Sequence, residues 1–212
     1  MSTSITPTYL RRYTDLPALL HILSVKRITL LDPKSWDDKN DSFFMSLYKE
    51  RKKLKTVLAL CFSQTVETYH HWRVFSNGPA GVCIVFDRAA LLKEMEKVAG
   101  ISTNSVTYSS LKDAKARKLK VNHLPFVKRY GFRPEKEFRA LYTSPDAEHF
   151  SLDVPIEINC IRSISLSPWM HSSLATSTVA AIRAINGCEK LKVSRSTLIS
   201  NEQWKSLGEN AT

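Results

Sequence analysis

Two short apolar runs, at residues 57–62 and 82–86, do most to constrain the fold of this chain of 212 residues. Each run is continuous and has the length of a strand that is buried on both faces. Segments with helical periodicity alternate with such runs, and no internal repeat, low-complexity tract or long linker separates them. We therefore predict an α+β fold in a single domain, residues 1–212.

Periodicity and turn residues assign most of the remaining chain to short elements. Thr14 is predicted to cap a helix with an apolar stripe of leucines at 16, 19, 20 and 23. Further helices are predicted at 67–75, 88–98, 111–121 and 173–186, and Gly187 ends the last of them. Further strands are predicted at 27–31, 106–108, 136–142, 156–166 and 190–194, with a loop at 32–41 and a turn at 77–81.

The composition is that of a globular protein without membrane spans. Hydrophobic residues make up 43% of the chain and charged residues 24%. No apolar stretch approaches the roughly 18 residues of a membrane span. Residues 1–7 lack the charged and apolar regions of a secretory signal. We therefore expect a cytoplasmic protein with no membrane partner.

Several kinds of site are excluded by missing motifs. The four cysteines, at 61, 83, 160 and 188, form no C-x-x-C pair, so zinc ligation is not expected, and three of them lie in apolar runs as buried reduced thiols do. His70 and His71 would point about 100° apart on a helix and cannot ligate one metal. The chain also lacks P-loop, Rossmann, zincin and nucleophile-elbow motifs. No metal site is predicted.

A surplus of positive charge favours polyanionic partners. The net charge is +11, and residues 112–139 contain ten lysines and arginines against three acidic residues. One interpretation is a DNA- or RNA-binding surface formed by Lys115, Lys118, Lys120, Lys128 and Arg129. The alternative is a solvated basic helix without a partner.

Two glutamates, Glu135 and Glu137, stand at the start of a predicted strand. Residues two apart in a strand share a face, so the two carboxylates are expected to project together. Like charges at that distance are costly unless a cation or a proton offsets them, which favours a functional site. The alternative is a pair of solvated acids balanced by nearby basic residues, namely Arg133, Lys136 and Arg139.

Polar residues at other predicted strand ends are candidates for the same cleft. Arg12 and Thr14 share one side of a short strand before the first helix. Ser63 follows the buried run 57–62, and Tyr69 and His70 lie on the next helix. Polar groups drawn from distant segments typically line a ligand cleft.

Nearly the whole chain resembles a bacterial family known only as domain of unknown function 2971. The matching motifs are LRRY at 10–13, WDDK at 36–39, CFS at 61–63, WRVF at 72–75, GVCIVFD at 81–87 and KRYGFRPEKEFR at 128–139. The second motif departs from the N-D-P form of the family. The family name implies no chemistry.

A more distant resemblance implies chemistry. An arginine in the first strand, an aromatic–serine strand in the middle and a late E-x-E strand are similar to the order in the ADP-ribosyltransferase superfamily. That resemblance implies a split, mixed or antiparallel sheet flanked by helices, with NAD as co-substrate. The opening of the chain, from Leu10 onward, is similar to the opening of the branch that modifies nucleic acid. The basic segment favours the same acceptor, while protein and small-molecule acceptors stay open. A toxin or phage-defence role, with a neutralising partner protein, would suit such chemistry.

The same resemblance implies roles for single residues. Glu137 would be the catalytic carboxylate that contacts the ribose 2′-hydroxyl, and Glu135 would orient or deprotonate the acceptor, although either glutamate fits the catalytic position. The residues implied to bind NAD are Arg12, Tyr13, Thr14, Ser63, Tyr69 and His70, with Tyr13 or Tyr69 stacking on the nicotinamide. The middle motif reads S-Q-T at 63–65, where arginine-modifying members have S-T-S. The competing hypothesis is a non-catalytic module that binds nucleic acid or an acidic protein through 112–139.

Overall fold

The computed structural model describes residues 8–76, 78–209 and 211. The segment 1–7, where no signal is expected, and Asn77 of the predicted turn lie outside the described residues. No helix in the described part is long and apolar enough to cross a membrane.

Short strands and helices alternate along the described chain. The strands are β1 (Tyr9–Asp15), β2 (Arg27–Leu31), β3 (Thr56–Ser63), β4 (Gly81–Asp87), β5 (Ile101–Ser105), β6 (Thr107–Ser109), β7 (Val127–Arg129), β8 (Glu137–Ser144), β9 (Ser151–Pro155), β10 (Ile161–Leu166) and β11 (Val193–Arg195). The helices are α1 (Leu16–Val25), α2 (Lys39–Arg51), α3 (Tyr69–Phe75), α4 (Arg88–Glu96), α5 (Leu111–Arg117), α6 (Ser172–Arg183) and α7 (Glu202–Glu209). The prediction of an α+β fold is confirmed.

The described residues group into two compact units. The first unit comprises 8–10, 27–65 and 87–157, and the second comprises the other described residues. The assignment of the whole chain to a single domain stays a prediction.

The first unit contains an antiparallel sheet in the order β9–β2–β3–β8–β5. Strands β3 and β8 pair along their whole length, from Thr56 opposite Ser144 to Ser63 opposite Glu137. Their side chains are buried almost throughout, as the apolar run at 57–62 predicts. This register places the end of β3 beside the start of β8, where the two glutamates lie.

A smaller two-stranded ladder in the first unit carries the basic segment. Strand β6 pairs in parallel with β7, so Tyr108 lies opposite Lys128. Helix α5 follows β6 and ends at Arg117, because Lys118 takes a positive φ of 47° that cannot continue the helix. The predicted basic helix at 111–121 is therefore shorter than expected, and residues 121–126 form a separate 3-10 turn.

The second unit contains a mixed run of paired strands in the order β11–β10–β4–β1. Strand β11 runs parallel to β10, and β10 runs antiparallel to β4. Helix α1 is capped by Asp15 and not by Thr14, because the Asp15 carboxylate accepts a hydrogen bond from the Ala18 N–H. Helix α7 is an element that the sequence pattern does not predict.

Helix α1 ends at a residue with an unfavourable backbone conformation. Lys26 has φ 54° and ψ 47°, a region in which glycine avoids the steric cost borne by residues with a Cβ. We expect Lys26→Gly to raise the free energy of unfolding by about 1 kcal/mol. The matched Lys93→Gly, inside α4, should lower it by about 1 kcal/mol. Urea unfolding of both variants checks the opposite signs.

A buried carboxylate cluster as the candidate functional site

Glu135 and Glu137 converge on one lysine. Glu135 ends a 3-10 turn (Tyr130–Glu135), Lys136 has a left-handed φ of 48°, and Glu137 opens β8. The Lys128 Nζ lies 2.8 Å from a carboxylate oxygen of Glu135 and 3.3 Å from one of Glu137. The two acids therefore project together, as predicted, but through a left-handed turn and not through strand alternation.

Both glutamates are buried. Their exposed fractions are 6% for Glu135 and 5% for Glu137. The alternative interpretation of two solvated acids is therefore wrong. Arg133 and Lys136, which that interpretation paired with them, are exposed. Buried carboxylates need cationic partners, and Lys128 and Arg139 supply them.

Arg139 ties Glu137 to a third acid. Its Nη2 lies 2.6 Å from Glu137 Oε1 and 2.7 Å from Asp41 Oδ2, and its Nη1 donates to the other Asp41 oxygen at 3.1 Å. The guanidinium also donates to the Pro125 carbonyl and lies 4.7 Å from the centre of the Trp36 ring. Arg139 is fully buried, so these groups replace its water shell.

Asp41 is a site residue that the sequence pattern does not reveal. The sequence places it in a polar loop, at the end of the acidic run that follows Trp36, with no distant partner indicated. In the structure Asp38 caps α2, and Asp41 in the first turn reaches Arg139, which is 98 residues away along the chain. Trp36 in the WDDK motif covers the Arg139 guanidinium. The motif therefore supports the cluster.

The cluster contains three carboxylates and two cations, and their pKa values shift accordingly. Burial would raise the pKa of Glu137, but the charges of Arg139 and Lys128 outweigh it and hold that pKa below its ordinary value. Burial raises the pKa of Asp41, against the opposing charge of Arg139. The Lys128 pKa is raised: burial opposes its charge, but the attraction of Glu137 and Glu135 outweighs that cost. Glu137 is thus held in its charged form more firmly than Asp41.

These shifts predict opposite effects of two variants on acid stability. Glu137 stabilises the fold above its ordinary pKa of 4.5, and this contribution is lost as the pH falls through the lower folded value. Asp41 contributes with the opposite sign, because its folded pKa is raised above 3.8. As the pH falls from about 5 to about 2, Glu137→Gln should lose less stability than the wild type and Asp41→Asn should lose more. Urea unfolding across that range measures both slopes.

The backbone of the E-x-E segment, residues 135–137, is held by polar groups from neighbouring elements. The Ser63 hydroxyl donates to the Glu135 carbonyl at 2.9 Å, and the Gln64 N–H donates to the Lys136 carbonyl at 2.8 Å. The Gln64 side-chain amide donates to the Glu137 carbonyl at 3.2 Å, and the Glu137 N–H donates to the Tyr108 hydroxyl at 2.8 Å. Ser63, predicted to order a nicotinamide, is seen to hold the segment that carries the glutamates.

Cys61 lies against the same cluster. It faces Arg139 across the β3–β8 ladder, and its thiol forms a hydrogen bond with the Glu137 carboxylate. Burial, followed by the charge of Glu137, raises the pKa of the Cys61 thiol well above its ordinary value. The thiol is therefore a protonated donor, and not a nucleophile.

A surface pocket of about 250 Å³ lies beside the E-x-E segment. Its lining combines two aromatic rings, two cations, an amide and one apolar residue: Tyr108, Tyr130, Arg133, Lys136, Gln64 and Val106. The Tyr108 hydroxyl connects the pocket to Glu137, because it accepts the Glu137 N–H. Burial raises the Tyr108 pKa, so the hydroxyl keeps a proton that it can donate. This lining suits an anionic ligand with a planar ring.

Eight of the ten basic side chains in 112–139 are exposed. They are Lys112, Lys115, Arg117, Lys118, Lys120, Arg129, Arg133 and Lys136. The other two, Lys128 and Arg139, belong to the carboxylate cluster. The prediction that Lys128 contacts nucleic acid is therefore corrected: its side chain is 9% exposed, and three carboxylates surround its ammonium.

The predicted NAD-binding residues of the second unit differ in their exposure. Arg12 and Thr14 are half-buried on β1, and strand alternation puts them on one face, as predicted. Tyr13 points to the other face, is only 8% exposed and stacks on His71 with the ring centres 5.3 Å apart. Its buried ring is not open to a nicotinamide, contrary to the prediction.

Tyr69 and His70 begin helix α3 and are both exposed. The Tyr69 hydroxyl accepts a hydrogen bond from Arg73 Nε at 2.9 Å, and the Arg73 guanidinium lies 4.2 Å from the Trp169 ring centre. Of the two tyrosines predicted to stack on a nicotinamide, Tyr69 is thus the accessible one.

The family comparison supports the sequence motifs over part of the chain. The model of a family described as "Protein of unknown function (DUF2971)" matches residues 71–140, which include the E-x-E segment. The predicted resemblance to this family is confirmed over that segment. No curated protein matches the sequence significantly.

Three solved structures of DarT from Thermus sp. 2.9 resemble this structure at 10–11% sequence identity. The complex with NAD⁺ has a TM-score of 0.47 and covers 92% of this chain and 98% of its own. The complex with ADP-ribosylated single-stranded DNA has a TM-score of 0.46 and covers 90% and 94%. The complex with carba-NAD⁺ has a TM-score of 0.46 and covers 91% and 97%.

Proposed function

We propose that this protein is an NAD-consuming, ADP-ribosyltransferase-like enzyme in which Glu137 is the catalytic carboxylate. The observation that carries the proposal is the buried Glu137, held in its charged form by Arg139 and Lys128 at the start of strand β8. A fixed negative charge in a site buried from water stabilises positive charge that develops nearby. NAD is the co-substrate that the sequence resemblance implies.

The reaction breaks the bond between the nicotinamide nitrogen and the ribose carbon and forms a bond from that carbon to an acceptor. Positive charge builds on the ribose as nicotinamide leaves, and Glu137 stabilises it while accepting a hydrogen bond from the 2′-hydroxyl. Glu135 takes the proton of the acceptor. Nicotinamide leaves as a neutral molecule, so charges and protons balance.

Substrate access requires one bond to Glu137 to be exchanged. Arg139 makes the short contact of 2.6 Å, whereas the Lys128 Nζ lies 3.3 Å away and also binds Glu135. Lys128 is therefore the partner that yields to the ribose hydroxyl. The roles of Arg12, Thr14, Tyr69 and His70 in NAD binding remain part of this proposal.

Nucleic acid is the acceptor that the surface favours. Eight exposed cations lie along residues 112–136, the segment that leads into the E-x-E glutamates. Only one exposed acid, Asp113, lies among them. The pocket beside Glu137 adds aromatic rings to this charge, a combination typical of single-strand binding. A toxin or phage-defence role with a neutralising partner protein is part of the same proposal.

Nicotinamide release tests the chemistry directly. The protein is incubated with NAD alone, with single-stranded DNA, with RNA and with a protein mixture, and nicotinamide is quantified by chromatography. Release that rises with one acceptor supports the enzyme and identifies the acceptor class. No release with any acceptor would contradict the proposal.

The second candidate function is a non-catalytic nucleic-acid-binding module, which the eight exposed cations favour independently. Under both functions, reversing the charge at Lys115, Lys118 and Lys120 should weaken binding to a labelled oligonucleotide by about tenfold or more at low salt, and should reduce its salt dependence. Reversing Lys52, Lys53 and Lys55 makes the same change in net charge elsewhere and should have a smaller effect. Fluorescence anisotropy measures both.

The effect of substituting Glu137 distinguishes the two functions. The module requires the basic segment and tolerates Glu137→Gln, whereas the enzyme loses activity in that variant while it keeps its affinity for nucleic acid. Equal affinity of the two triple variants would contradict a binding role for the basic segment.

A further inference from the structure

The side-chain amide of Gln64 joins several elements at one end of the first unit's sheet. Its Nε2 donates to the Glu137 carbonyl at 3.2 Å. Its Oε1 accepts from Arg88 Nη1 at 3.0 Å and from Ser105 Oγ at 3.2 Å. A guanidinium only donates, so Arg88 fixes which end of the amide is the oxygen and aims the NH₂ group at Glu137.

Arg88 is itself held in place. It is the first residue of α4, and its guanidinium lies 4.3 Å from the centre of the Phe138 ring. Phe138 is 2% exposed and directly follows Glu137 in β8. The orientation of the Gln64 amide is thus fixed by a group that packs on the next residue of the same strand.

Glu137 needs such support because it is the first residue of its strand. Strand ends open more easily than strand centres. The Glu137 carbonyl accepts one bond from the Val106 N–H at 2.9 Å and the second from Gln64. The Gln64 N–H also holds the carbonyl of Lys136, the left-handed residue that turns the chain into β8. Gln64 therefore holds the carbonyl groups of both Lys136 and Glu137.

We propose that Gln64 is a positioning residue for Glu137, and that Arg88 orients it. The middle residue of the S-Q-T motif, where arginine-modifying relatives have threonine, then fixes the backbone from which the carboxylate projects. The consequence for catalysis rests on the proposed function, whereas the effect on the Glu137 carboxylate does not.

Two variants of Gln64 separate its contacts. Gln64→Leu removes all side-chain hydrogen bonds, and Gln64→Glu keeps the acceptors for Arg88 and Ser105 but loses the donor to Glu137. Both should lower kcat for nicotinamide release by about 10- to 100-fold while KM for NAD stays unchanged, because a small displacement of a catalytic group affects the chemical step. Gln203→Leu, on the exposed face of α7, is the matched control and should leave both constants unchanged.

A second measurement does not depend on activity. The Glu137 carboxyl carbon is titrated by NMR in the wild type and in Gln64→Leu, which adds no charge. The midpoint should move to higher pH in the variant, because the carboxylate is no longer held against Arg139. If Gln64→Leu does not fold, Gln64→Ala, which also adds no charge and removes the same side-chain hydrogen bonds, should shift the same midpoint.

The outcomes are distinct. A wild type that releases no nicotinamide contradicts the proposed function, and the titration still decides the positioning role. An unchanged midpoint overturns the positioning role. A wild-type kcat in Gln64→Glu also overturns it, because that variant loses the donor to Glu137 and places a carboxylate against the Glu137 carbonyl.

Discussion

Replacing Arg139 by methionine is expected to lower the free energy of unfolding by about 3–5 kcal/mol, the usual cost of removing one partner from a buried ion pair. The substitution leaves Glu137 and Asp41 with only Lys128 as a cation, and it leaves the Pro125 carbonyl without this donor. Methionine fills much of the same volume, so the loss reports the charge and not a cavity. Guanidinium unfolding followed by circular dichroism measures it.

Two controls make this result specific to the cluster. Arg129→Met makes the same chemical change at an exposed site and should alter stability by less than about 0.5 kcal/mol. Arg139→Lys keeps the charge but cannot bind Asp41 through two parallel bonds, so it should fall between the wild type and Arg139→Met. A midpoint for Arg139→Met equal to that of Arg129→Met would show that the cluster does not stabilise the fold.

Replacing Glu137 by glutamine is expected to reduce kcat for nicotinamide release by about 100- to 1,000-fold, the range found when one preorganised electrostatic contact is removed from an active site. Glutamine keeps the shape of the side chain but has no charge to stabilise the developing cation. Nicotinamide release at saturating NAD measures the effect, at a temperature where circular dichroism shows the variant to be folded. Glu148→Gln, at an exposed position of the same unit, is the matched control.

The companion variant Glu135→Gln assigns the second carboxylate. If Glu135 only takes the acceptor proton, its loss should slow transfer to nucleic acid more than it slows hydrolysis of NAD, because water needs less assistance to lose its proton after attack. A Glu137→Gln variant with full activity and a Glu135→Gln variant with none would exchange the two assignments.

The buried strands were predictable because a strand covered on both faces must be apolar along its whole length. The runs at 57–62 and 82–86 form β3 and β4 for that reason. Strand β5 (Ile101–Ser105) lies at an edge of the sheet and is mostly polar, so periodicity gives no signal for it. Helix α7 gives no signal for a related reason: it is exposed along its length and carries no buried stripe.

The glutamate pair and one partner, Arg139, were predictable as a charge cluster, whereas the partners Asp41 and Lys128 were not. Two acids two residues apart ahead of an apolar strand already require compensation, and the basic residue two places beyond Glu137, Arg139, was a candidate for it. Asp41 is 98 residues from Arg139 along the chain, and nothing local at either position indicates the pairing. Lys128 looks like one of many surface lysines, because burial depends on how the 3-10 turn before Glu137 folds back over it.

The position of β8 in the first unit has a consequence during synthesis on the ribosome. This strand lies between β3 and β5, and both of these precede it in the chain. A nascent polypeptide that has not yet emerged past residue 144 lacks the strand that joins these two parts of the sheet. Glu137 and its arginine therefore reach their places only after residue 144 has emerged, and a product terminated before residue 128 would carry the early acid, Asp41, without Lys128 and Arg139.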